Sequence, residues 1–99
     1  MKKIIKIEKL LQEGYALFEN KDYNESIKIF HKALSFNKTY SKSLYLLGLS
    51  YGASGKPLEA KNYFFKSLLN DPNNFFINYN LAKALSELEL DEESLKYHK

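Results

Sequence analysis

The sequence predicts an all-α protein, a solenoid of stacked helix-turn-helix repeats, on three observations. The chain overlays on itself when shifted by 34 residues, apolar residues within each period recur at helical spacing, and the breaks between them carry helix-stopping and helix-starting residues. At that shift Gly14 falls on Gly48 and then Ala82, Leu10 on Leu44, Leu17 on Tyr51 and Leu85, and Phe30 on Phe64. Small residues follow the same rule: Ser26 falls on Ala60 and Ser94, and Ala33 on Ser67. Periods of about 20 to 50 residues mark arrays in which each unit buries its apolar face only against its neighbours.

The elements follow in order. The opening stretch MKKIIKIEKLL mixes isoleucine with Lys6, Glu8 and Lys9, and no small-residue cleavage site follows, so it starts a helix and is not a signal peptide. Asn20-Lys21-Asp22 breaks the first hairpin. In the second, Leu44, Leu47 and Tyr51 lie at i, i+3 and i+7, and Ala60, Phe64, Ser67 and Leu68 continue at i, i+4, i+7 and i+8. Between them stands Gly55-Lys56-Pro57, where glycine takes the helix-ending conformation and proline suits the first turn of the next helix. Asp71-Pro72-Asn73-Asn74 separates the second unit from the third. A third break is expected at Glu89-Leu90-Asp91, with Asp91 capping a last helix from Asp91 to Lys99. At about two turns such a helix is marginal unless something packs on it.

Leu44, Leu47, Gly48, Tyr51, Ala60, Phe64 and Pro72 stand at the spacing of the tetratricopeptide repeat, which this chain resembles, with leucine in place of the usual tryptophan. The resemblance covers nearly the whole chain, as repeats at about 7–40 and 41–74 and an incomplete third at 75–99 within one domain. It implies a right-handed superhelix of about two and three-quarter repeats, with Gly48 and Ala60 small because the helices of a hairpin approach closely there. The departures are Lys38 where the first unit would carry proline, Ser26 where it would carry alanine, and His98 where Phe30 and Phe64 stood.

Composition limits the function classes. Ninety-nine residues make one domain, and 44% hydrophobic residues with eight Tyr, seven Phe and only four Gly describe a folded chain. The absence of cysteine removes disulfides, thiolate metal sites and a thiol nucleophile, and it fits a cytoplasmic setting. No apolar run approaches the roughly 20 residues that span a bilayer. His31 and His98 are far apart in the repeat and neither has a second ligand at metal spacing. No phosphate-binding loop follows a strand. The sequence therefore assigns no catalytic residue, no metal and no cofactor, and His31 is expected to be a solvated histidine of a second helix.

Function then falls to a surface. The resemblance implies that first helices line a concave groove that holds an extended or helical segment of another protein. The register puts Leu11, Tyr15 and Phe18 of the first unit, Lys42, Tyr45 and Leu49 of the second, and Phe76, Tyr79 and Lys83 of the third on that groove, beside Glu8, Glu19 and Glu87. Its aromatic stripe predicts an apolar or amphipathic peptide ligand. Relatives that clamp a terminal carboxylate use cations and asparagine at positions occupied here by Leu11, Tyr15, Leu46, Phe76 and Asn80, so an acidic tail is not expected. The alternative is a structural or self-associating scaffold segment, with copies meeting through the groove or the C-terminal helix. Lys2, Lys3, Lys6 and Lys9 crowd one end and Glu87, Glu89, Asp91, Glu92 and Glu93 the other, a polarity that head-to-tail stacking would use. The net charge of +3 rests entirely on lysine, and Lys28, Lys32, Lys66 and Lys96 on outward positions make a solvated ridge. Without arginine that ridge lacks bidentate phosphate contacts, so nucleic acid is disfavoured as a partner.

Overall fold

Helices account for all the regular structure in a computed structural model that describes the backbone of residues 2–97 and the side chains of residues 2–90. They are α1 (Lys2–Glu19), α2 (Tyr23–Phe36), α3 (Ser41–Ala53), α4 (Pro57–Asn70) and α5 (Phe75–Tyr97). Each packs mainly on the next in sequence, and the molecule is elongated, 54 × 29 × 19 Å. That is the shape expected when every unit is stabilised by its immediate neighbours.

Two hairpins repeat one construction. Phe30 and Phe64 lie against Gly14 and Gly48 so closely that a Cβ on either glycine would stand 2.4 Å from the ring. Lys21 and Gly55 occupy the same turn position with φ of 65° and 83°. The residue after each donates its amide across the turn, Asp22 to Leu17 O and Lys56 to Tyr51 O, both at 2.9 Å. This closure needs a left-handed residue, which glycine adopts freely and Lys21 adopts at some cost. Pro57 opens α4 where its missing N–H is not needed, and Asn74 caps α5 by accepting from the Ile77 amide at 3.2 Å.

The core divides at α3. Ile7, Leu11, Phe30, Ala33, Leu46 and Leu47 form one cluster and Ala60, Phe64, Ile77, Leu81 and Ala84 the other, with Tyr45, Leu49 and Tyr51 packed against both. Serines fill close helix contacts: Ser26 donates to Tyr23 O at 2.8 Å, and its Oγ lies 3.2 Å from Ser50 Oγ. Ser41 and Ser67 each donate to the other's carbonyl, at 3.0 and 2.8 Å. These bonds join the start of α3 to the end of α4 and satisfy hydroxyls that would otherwise be costly to bury.

The third unit departs from expectation. No turn forms at Glu89-Leu90-Asp91, and α5 continues through it as one 23-residue helix. Asp91 therefore lies inside a helix and not at the start of one. Leu88, Glu89 and Leu90 are good helix formers, and the left-handed position held by Lys21 and Gly55 falls on Glu89. Asn78, Ala82 and Leu85, which match the hairpin-facing Leu44, Gly48 and Tyr51, are consequently exposed. The expected packing role of His98 lies outside the described residues.

Candidate functional site

The side chains assigned to the groove come from α1, α3 and α5, the first helices of successive units. Their positions are fixed by how each unit packs on the next. Leu11 is only 2% exposed, because α3 covers it, so it is core and floor where an exposed anchor was expected. Its counterpart Tyr45 is half-buried, its ring centroid 5.9 Å from that of Phe64 and its hydroxyl accepting from Asn80 Nδ2 at 3.2 Å. The third member of the series, Tyr79, is 61% exposed, since no helix among the described residues follows α5. One register position thus runs from core to surface along the array.

Tyr15 is exposed and stacks on half-buried Phe18, with centroids 5.9 Å apart and planes at 22°. Phe76 is exposed beside Phe75, whose ring meets it edge-on at 5.6 Å and stacks on Tyr79 at 6.1 Å. Phe75 belongs to this aromatic cluster although the groove register did not select it. Its counterparts, Ile7 and Ser41, are apolar and polar, so the repeat pattern carried no aromatic signal there.

Besides a wider depression of ≈ 500 Å³ that includes Lys42, Tyr45 and Ile77, two smaller ones flank α3. One, of ≈ 380 Å³, lies between α1 and α3 and includes Leu11, Gln12, Tyr15, Lys42 and Leu46. The other, of ≈ 190 Å³, lies between α3 and α5 and includes Phe18, Leu49, Asn80 and Lys83. Gln12, Leu46 and Asn80 form one series at the 34-residue shift, so this lining was legible once the neighbouring series had been found.

One ion pair joins two of the charged groups at the site. Glu8 accepts from Lys42 Nζ at 2.8 Å and from the Tyr40 hydroxyl at 2.9 Å, tying α1 to the start of α3. The Lys42 bond holds the Glu8 carboxyl below its ordinary value, and the bond to Glu8 in turn raises the Tyr40 hydroxyl. Burial raises the Tyr45 hydroxyl, which therefore stays protonated in the neutral range. Lys42 is thus engaged by its own chain, and the exposed Lys83 lines the second depression. Among the described residues there is no group of three His, Asp or Glu side chains suited to a metal ion, and no helix is long and apolar enough to cross a membrane.

His31 is exposed, as expected, and also makes contacts to the next unit. Its ring meets Tyr51 and Tyr63 edge-on at 6.2 and 5.8 Å, and its Nε2 lies 3.1 Å from the Tyr51 hydroxyl. These contacts join the first hairpin to the second, and burial lowers the His31 pKa.

Comparison with solved structures gives relatives of the same architecture. The chain superposes on the C-terminal TPR-containing domain of a Plasmodium falciparum protein named for FK506 binding, with TM-score 0.84 and 30% identity, covering 93% of this chain and 61% of that one. The Sgt2 TPR domain of Aspergillus fumigatus gives 0.81 and 25% over 84% of this chain and 55% of that one. The chain therefore spans little more than half the length of these structures. The second TPR of Spaghetti, bound to the HSP90 peptide SRMEEVD, matches at 0.81 with 15% identity over 94% and 87% of the two chains, a likeness of fold. No curated protein matches the chain by sequence. A family model for the tetratricopeptide repeat matches residues 10–40 and 41–74, more than half of the chain, and with the paired helices and the close Gly–Phe contacts it establishes that this chain belongs to the tetratricopeptide-repeat family.

Proposed function

We propose that this chain is a protein-interaction module whose α1–α3–α5 face holds a peptide or helix of a partner through apolar anchors. The observation that carries the reading is the set of large aromatic side chains left in solvent on that face: Tyr15, Phe76 and Tyr79 are 45%, 64% and 61% exposed. Exposed aromatic surface costs solubility and marks contact sites. The two depressions beside α3 accept side chains spaced along a short segment, and the backbone beneath them is held by the buried clusters. The reading assigns the chain no reaction.

The HSP90 peptide held by Spaghetti is acidic, and such a ligand suits this face poorly. Leu11, Tyr15, Leu46, Phe76 and Asn80 offer no cation, and Lys42 is paired with Glu8. A ligand with two or three apolar side chains and few acids fits instead.

Selection of a random peptide library against the chain, and against a Tyr15→Ser/Phe76→Ser variant, tests this. Both side chains are exposed, so the variant keeps the helices. Enriched sequences should carry paired apolar anchors and bind the variant roughly tenfold or more weakly, a loss typical of interface anchors. Equal recovery on both proteins would sink the assignment.

A further inference from the structure

In both closed hairpins the chain turns at a residue of positive φ, whereas α5 runs straight through the matching position at Glu89. A helix of this length is about 34 Å long and rigid, so residues 91–97 project beyond the face that a folded-back second helix would cover. That face is apolar. Ala82 and Leu85 are exposed on α5, and Phe65 is exposed on α4. On α2 the match to Phe65 is His31, so a position that is polar in the first hairpin is apolar in the second.

The first hairpin indicates what belongs there. His31 meets Tyr51 and Tyr63 of the following unit. Shifted by 34 residues, Phe65 takes the place of His31, and its partners become Leu85 and Tyr97. Position 85 is at hand on α5, but position 97 lies on the segment that the open hairpin carries away. That segment has the register of a second helix, since Ser94 falls on Ser26 and Ala60, both buried in their hairpins.

We infer that a second copy of this chain covers the face: two chains exchange residues 91–97, each laying this segment on α4 and α5 of the other about a two-fold axis. The exchanged contacts are those a closed hairpin would make within one chain, so no new complementary surface is required. The helix-forming run Leu88-Glu89-Leu90 favours the open form over the closed one. The exchange uses α4 and the hairpin-facing side of α5 at Ala82 and Leu85, not α1 or the depressions beside α3, so its failure would leave the peptide-binding proposal standing.

Sedimentation equilibrium of three proteins tests it: the unmodified chain, Glu89→Gly/Leu90→Asp, and Phe65→Glu. The double substitution restores glycine as at Gly55 and aspartate as at Asp22, and Phe65 is exposed within its own chain. The unmodified chain should reach twice its 11.6 kDa, and both variants should remain at 11.6 kDa with helical circular dichroism retained. A monomer at every concentration for the unmodified chain overturns the inference, as does a dimer that survives restoration of the turn. Because the chain has no cysteine, Phe65→Cys/Tyr97→Cys provides a second readout. Oxidation should link two chains on a non-reducing gel, and a link confined to one chain would contradict the exchange.

Discussion

A methyl group at Gly48 would stand 2.4 Å from Cε1 of Phe64, whose ring is almost fully buried. The ring also packs with Ala60 and the α5 residues Ile77 and Leu81, so any shift disturbs that cluster. Gly48→Ala should therefore destabilise the chain by about 1–3 kcal/mol despite alanine's better helix propensity, which favours it by only about 1 kcal/mol. Urea unfolding checks this, and an unchanged or raised midpoint would mean that Phe64 can move. The sequence marked Gly48 as a point of close approach but paired it with Ala60, whereas Gly48 meets the Phe64 ring and Ala60 lies by Gly52. It did not separate Leu11 from Tyr79, which share one register position. Their burial depends on whether another unit follows, and no residue type encodes that.

At the scale of elements, the two formed hairpins were legible and the third was not. Gly55-Lys56-Pro57 states a turn in chemical terms, whereas Asn20-Lys21-Asp22 is recognised mainly by its place in the repeat. The expectation of a break at Glu89-Leu90-Asp91 relied on place and on Asp91 as a cap, and local helix propensity won. Contact between hairpins offers a sharper test, because His31 joins α2 to α3 and α4. Its pKa is lowered by burial, so the neutral ring is favoured in the folded state. The resulting stability is present above the ordinary value of 6.5 and is lost as pH falls through the lowered folded value. The urea midpoint should drop between pH 7.5 and 5, before carboxylates such as Glu8 begin to protonate. His31→Phe, which copies Phe65, should flatten that part of the profile. An equally steep profile in the variant would assign the effect to other groups.

At the scale of the whole molecule, burial is set by position in the stack. Leu47, Leu81 and Glu13 are equivalent by register; the first two are buried against the preceding unit, while Glu13, with no helix before α1 among the described residues, is polar and exposed. The same logic leaves Phe75 and Tyr79 in solvent at the other end. The aromatic face is therefore partly a side of the array and partly the surface of its last described helix, a distinction that sequence periodicity does not carry. The most direct test of the interaction role is backbone amide chemical-shift mapping, by nitrogen-15 NMR, of a peptide recovered from the library selection. The account predicts saturable shifts concentrated on α1, α3 and α5, around Tyr15, Lys42, Leu49 and Lys83. Shifts confined to α2 and α4 would contradict it.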